Sequence, residues 1–236
     1  MSIEGILRGC MLQGWRYSPL AWSHRSLLNG TRSTGSQIGI GGSPNRPPAA
    51  LGLCQVFPHP VLMKPNRIGV SDDEILVGFV GRLTEIKNIP MFLKTAGIYK
   101  ERKNSDFPKL RFVIIGDGHL RARLEAEAEN LDVRDVVSFL GNRSDADVFY
   151  AGLDIVALTS LNEGTPLSLI EAMANGKAFV STAVGGVTDL LGAVAEEKEN
   201  FKVYERGIGV ASGDAQPLFE GLIFLEREEI SQKGLG

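Results

Sequence analysis

The sequence predicts an α/β protein, an open parallel sheet with helices on both faces, built from about residue 75 onward. Three observations carry this. Short continuous apolar runs closed by glycine or polar residues recur along the chain, as at 75–80, 110–115 and 154–158. Helical patterns with one apolar face separate them. Strands buried on both faces read as continuous apolar runs, and strands alternating with helices imply parallel βαβ units. Finally, the chain divides near residue 70. Residues 1–70 hold seven basic residues and one acid, Glu4, whereas residues 71–236 hold 18 basic and 27 acidic residues.

The first expected strand, 75–80, ends at Gly81. Asn88 is expected to cap a helix carrying Pro90 in its first turn, with Met91, Phe92, Ala96 and Tyr99 on the buried side. Strand 110–115 closes at Gly116, and residues 119–130, rich in Arg, Glu, Ala and Leu, predict a helix. Residues 136–140 predict a third strand and 145–151 a short helix. Strand 154–158 leads to a helix over 166–175 stopped by Gly176. Strand 178–182, a sixth strand at 207–210 and a helix over 215–227 complete the pattern. Right-handed crossovers then give a doubly wound, Rossmann-like sheet whose ligand loops follow the carboxyl ends of the strands.

Residues 1–70 carry no period long enough to build a core, and the stretch Gly39-Ile40-Gly41-Gly42-Ser43-Pro44 interrupts any that starts. An irregular or non-native leader is expected there, with the Rossmann-like domain over 71–236. The whole chain has 236 residues, formal charge −3 and 43% hydrophobic residues, the composition of an ordinary globular protein. It has no run of 18 apolar residues, which argues against a transmembrane helix, and no basic excess that would point to nucleic acid. Cys10 and Cys54 form neither a disulfide framework nor a CxxC pair. With three His and no HExxH, a metal site is not expected.

Three strand-to-helix loops carry candidate chemistry. Gly81-Arg82-Leu83-Thr84-Glu85-Ile86-Lys87-Asn88 sets two cations before a helix. Arg82 offers a planar fork and Lys87 a point charge, a combination suited to a diphosphate. Asn162-Glu163-Gly164-Thr165-Pro166-Leu167-Ser168-Leu169-Ile170-Glu171 sets one carboxylate at a loop, another on the following helix, and free N–H groups between. Ile115-Gly116-Asp117-Gly118-His119 has part of a dinucleotide fingerprint, but Arg121 stands where the third glycine would be. It reads as a tight turn with a structural Asp117. An NAD(P)-dependent oxidoreductase accordingly ranks well behind, since strand 138–140 also ends without the required acid.

Taken together, Val80-Gly81-Arg82-Leu83 with Lys87-Asn88, Ile115-Gly116-Asp117-Gly118, Phe139-Leu140-Gly141, Glu163-Gly164-Thr165-Pro166 with Glu171-Ala172-Met173-Ala174-Asn175-Gly176, and Val184-Gly185-Gly186-Val187-Thr188-Asp189 resemble the nucleotide-sugar-binding half of a family 4 glycosyltransferase of the GT-B fold. The resemblance runs from about Ile75 to Arg227. It implies a retaining, hexosyltransferase-like enzyme that takes a sugar from a nucleotide-diphosphate sugar to a sugar or lipid-linked acceptor, with no divalent metal and no other cofactor. Arg82 and Lys87 would hold the diphosphate, Glu163 would contact the sugar, and Glu171 would bind the ribose. Gly81, Gly164, Thr165, Leu167 and Ser168 would line the donor, and backbone at Gly141, Asn142 and Arg143 would bracket the base. Residues before Ile75 do not resemble the family's acceptor domain, nor does its closing helix follow, so the expectation is a fragment carrying the donor part. A nucleotide-binding module without transfer is the alternative. A cytoplasmic setting, with a membrane face as its variant, is expected.

Overall fold

The computed structural model describes Ser71, residues 74–102 and residues 107–233, with the side chains of 228–233 left aside. The expected leader over 1–70 lies outside the described residues.

Each predicted apolar run forms a strand: β1 (Glu74–Val80), β2 (Lys109–Ile115), β3 (Val137–Gly141), β4 (Ile155–Leu158) and β5 (Ala178–Thr182). Two further strands, β6 (Val194–Glu197) and β7 (Phe201–Tyr204), precede the expected last one, β8 (Ile208–Val210). The helices are α1 (Ile89–Arg102), α2 (Arg121–Asn130), α3 (Ala146–Gly152), α4 (Leu167–Ala174), the short α5 (Val187–Leu191) and α6 (Ala215–Lys233). The sheet order is β3-β2-β1-β4-β5-β8-β7-β6. The first six strands are parallel, whereas β7 and β6 run antiparallel at the edge.

This order gives the helices their faces. The β1→β2 and β4→β5 crossovers travel in opposite directions from the centre, so right-handed connections put α1 and α4 on opposite faces. Helix α6 returns to pack on α1, where the Thr95 hydroxyl reaches the Ala215 carbonyl. Strand β4 is buried at every position because it is central and covered on both faces. Between β1, β2 and α1, Phe79, Phe92, Phe112 and Tyr99 form a fully buried aromatic cluster. Phe92 and Phe112 meet edge to face at 5.5 Å. The buried Tyr99 hydroxyl accepts the Leu110 N–H at 2.9 Å.

Two elements differ from expectation. The β6–β7 hairpin lies in Val-Ala-Glu-Glu-Lys-Glu-Asn-Phe-Lys-Val-Tyr, which has no apolar run. It is an exposed edge whose strands are bridged by Lys202 and Glu197 at 2.6 Å, and charge on an edge strand blocks further pairing. Asn88 does not cap α1 through its side-chain oxygen. A 3₁₀ turn over Glu85–Lys87 comes first, and the Asn88 N–H closes it on the Glu85 carbonyl. Asn88 then takes a left-handed conformation (φ 45°, ψ 47°), which Asn tolerates better than most residues.

Candidate functional site at the sheet switch point

Strand β1 pairs with β2 on one side and β4 on the other. The order reverses there, and the loops after β1 and β4 therefore diverge around a crevice at the carboxyl edge. These are the loops that carry Arg82, Lys87 and Glu163.

Backbone bonds tie the two loops together. The Leu161 N–H donates to the Ile86 carbonyl at 2.8 Å, and the Thr159 hydroxyl donates to the Lys87 carbonyl at 2.9 Å. The β5 loop supports the β4 loop from its other flank. The Thr182 hydroxyl donates to the Ser160 carbonyl at 2.7 Å, and the Gly186 N–H to the Glu163 carbonyl at 2.8 Å. Gly185 and Gly186 make this approach possible. A Cβ on Gly185 would sit 2.1 Å from the Glu163 carbonyl oxygen, and one on Gly186 would sit 1.8 Å from that of Gly164. On the other side, the Gly81 N–H reaches the Ile115 carbonyl and the Gly116 N–H the Gly141 carbonyl. The loops after β1, β2 and β3 thus stand in one row.

Side chains converge at the crevice. Lys87 Nζ donates to Glu163 Oε1 at 2.5 Å, and the Ser160 hydroxyl donates to the same oxygen at 2.5 Å. The Glu163 side chain is 9% exposed and that of Lys87 20%. The two predicted residues are therefore brought together, as an ion pair. Arg82 is exposed in the same loop, and its guanidinium makes no hydrogen bond or ion pair among the described residues. Glu171 stands on α4, exposed to solvent, with Oε2 accepting the Tyr150 hydroxyl at 2.9 Å. Gly164, Thr165 and Leu167 are exposed and Ser168 is half-buried. The N–H groups of Leu167 and Ser168 open α4 without a partner among the described residues.

Near β3, Gly141 is buried, Asn142 exposed and Arg143 half-buried. Arg143 Nε donates to Asp145 Oδ1 at 2.8 Å. That bond raises the Arg143 pKa and lowers that of Asp145, so the guanidinium is committed to the start of α3. Asp117 is structural: its carboxylate accepts the Gly118 N–H at 2.7 Å and meets Arg121 at 3.2 Å.

Ser160 and Tyr150 are absent from the sequence-derived set. A Thr-Ser pair directly after a buried strand was the available signal for Ser160; nothing local marks Tyr150. Among the described residues, no group of three or more His, Cys, Asp and Glu side chains gathers, and no helix is long and apolar enough to cross a membrane.

The arrangement can hold an extended ligand along the carboxyl edge, with cations and helix N–H groups for an anion at the switch point and carboxylates for hydroxyl donors on either side. Known proteins share this framework. An uncharacterized glycosyltransferase of Methanocaldococcus jannaschii is 36% identical over 126 residues, covering 52% of this chain and 31% of the relative. The D-inositol 3-phosphate glycosyltransferase of Stackebrandtia nassauensis is 34% identical over 143 residues, covering 57% of this chain and 32% of its own. The matched part is thus about a third of these relatives' length. Among solved structures, the Anabaena protein HepE in complex with UDP and glucose superposes with a TM-score of 0.54 at 24% identity, covering 67% of this chain and 40% of HepE, and shares the fold. The family described as glycosyl transferases group 1 matches residues 63–236, about three quarters of the sequence. The chain belongs to the glycosyl transferases group 1 family.

Proposed function

We propose that residues 71–236 carry the donor half of a retaining, metal-independent glycosyltransferase of family 4, which takes a sugar from a nucleotide-diphosphate sugar. The observation that supports it most is the Lys87–Glu163 pair at the switch point, in the loops where α/β sheets of this order take their ligands. In this reading the bond from the sugar's anomeric carbon to the diphosphate breaks as a bond to an acceptor hydroxyl forms on the same face, the hydroxyl's proton passes to the leaving phosphate oxygen, and negative charge gathers on the diphosphate. Lys87 and Arg82 oppose that charge, the task a divalent ion performs elsewhere. The incoming diphosphate competes with Glu163 for Lys87, and the freed carboxylate accepts from sugar hydroxyls. Glu171 accepts from the ribose, while the N–H groups of Leu167 and Ser168, with Gly81, Gly164 and Thr165, line the phosphates and sugar. Backbone at Gly141, Asn142 and Arg143 flanks the base.

Calorimetry with UDP, GDP, ADP and their sugars, in the presence and absence of EDTA, tests the reading. One nucleotide binds, and EDTA leaves its affinity unchanged. Each charge-assisted contact is worth about 1.5–3 kcal/mol, so Arg82→Ala and Lys87→Ala each weaken binding about tenfold or more. Glu163→Ala weakens the nucleotide sugar relative to the free nucleotide, whose diphosphate no longer competes with a carboxylate for Lys87. Release of nucleoside diphosphate in the presence of candidate acceptors separates transfer from binding alone. Binding that requires Mg²⁺, or an Arg82→Ala/Lys87→Ala double variant as tight as the parent, overturns the assignment.

A further inference from the structure

We propose that Tyr150 is a positioning residue whose buried hydroxyl orients the Glu171 carboxylate toward the vicinal hydroxyls of a ribose, setting a preference for ribonucleotides over deoxynucleotides. This rests on the reading of Glu171 as the ribose ligand.

Glu171 is exposed on α4, where a glutamate side chain samples many rotamers and loses that freedom when it binds. Tyr150 is fully buried, so its ring is fixed by packing, with Phe149 at 4.7 Å between ring centroids. Its hydroxyl lies 2.9 Å from Glu171 Oε2 and 3.1 Å from the Ser168 carbonyl oxygen. The hydroxyl has one hydrogen, and the carboxylate is the stronger acceptor. Burial first, then the Glu171 charge and the bond to it, push the Tyr150 pKa well above the usual tyrosine value, so the hydroxyl stays a donor. An ionised carboxylate has about four acceptor positions. Tyr150 occupies one on Oε2, leaving Oε1 and the rest of Oε2 for two adjacent hydroxyl donors. A 2′,3′-diol presents donors at that spacing; a deoxyribose leaves one position unfilled. Tyr150 sits on α3, which follows the β3 loop assigned above to the base, so the same segment frames base and ribose.

Binding of UDP, GDP and ADP, each paired with its 2′-deoxy and 3′-deoxy forms, is measured for the parent, Tyr150→Phe, Glu171→Gln and the double variant. The parent favours the ribo form of its nucleotide by about tenfold, one charge-assisted hydrogen bond. Tyr150→Phe keeps the ring, weakens the ribo form by about the same factor and the deoxy forms, which keep a single hydroxyl contact to Glu171, by less, so the preference narrows. Glu171→Gln, on the exposed side of α4, loses the preference with α3 intact. The double variant is no worse than Glu171→Gln alone, as expected when one residue acts through the other. Equal weakening of ribo and deoxy forms by Tyr150→Phe would reduce Tyr150 to helix packing and overturn the proposal. So would full ribose preference retained in Tyr150→Phe or Glu171→Gln. A parent that binds none of the three nucleotides fails the donor-binding reading itself, and the positioning role falls with it; a parent that binds while the variants keep their preference fails the positioning role alone.

Discussion

Lys87→Met removes the ammonium and keeps an apolar stem, which isolates the charge at the switch point. Two limits bracket the effect on stability. An exposed ion pair is worth about 0–1 kcal/mol, whereas removing one partner of a buried pair costs about 3–5 kcal/mol because it strands a charge. The Glu163 side chain is 9% exposed and the Lys87 side chain 20%, so the pair lies between these limits and nearer the buried one. The Ser160 hydroxyl remains on Glu163 Oε1 and offsets part of the loss. The expected cost is about 2 kcal/mol, which lowers the unfolding midpoint of a domain this size by about 4–8 °C. The double variant Lys87→Met/Glu163→Gln leaves no stranded charge and recovers at least about 1 kcal/mol relative to Lys87→Met alone. Circular dichroism melts of the parent, both single variants and the double variant supply the cycle. The effect persists in 1 M NaCl, since a pair this enclosed is poorly screened. An unchanged midpoint for Lys87→Met, or a double variant no more stable than Lys87→Met, refutes the view that the two side chains hold each other.

Two more expectations concern the loops and the core. Gly186→Ala drives a Cβ into the Gly164 carbonyl oxygen and should cost about 1–3 kcal/mol while displacing the Glu163–Gly164 segment, whereas a Cβ on Gly164 meets no atom within 4 Å. Thermal melts that rank Gly164→Ala below Gly186→Ala would contradict this. Burial raises the pKa of both Tyr99 and Tyr150 above the ordinary tyrosine value. The folded chain therefore holds these protons where the unfolded chain releases them. Their contribution to stability is complete below about pH 10 and drains away as pH rises beyond it. Absorbance at 295 nm should show these two phenolates appearing only with unfolding, judged against Tyr99→Phe and Tyr150→Phe; ionisation near pH 10 in the folded state would refute it.

Local pattern was enough for the framework. Residues 75–80, 110–115, 154–158 and 178–182 read as strands because a strand covered on both faces is apolar at nearly every position. Met91, Phe92, Ala96 and Tyr99 read as the inner side of a helix for the corresponding reason, and all four are buried. The hairpin of β6 and β7 escaped notice because an edge strand is held by backbone pairing, which leaves no mark on side-chain hydrophobicity. Arg82, Lys87, Glu163 and Glu171 were nameable from residue type and position after a strand or within the next helix.

What the sequence determined by itself was the class of fold and the loops in which the polar groups stand, since both follow from burial that neighbouring residues share. Strand order, the pairing of β1 with β4, and the ion pair between Lys87 and Glu163, 76 positions apart, were decided only by tertiary structure. So were the Ser160 bond to Glu163 and the Tyr150 bond to Glu171. Periodicity records whether a residue is buried; it does not record against which distant residue, and hydrogen bonds depend on that second fact.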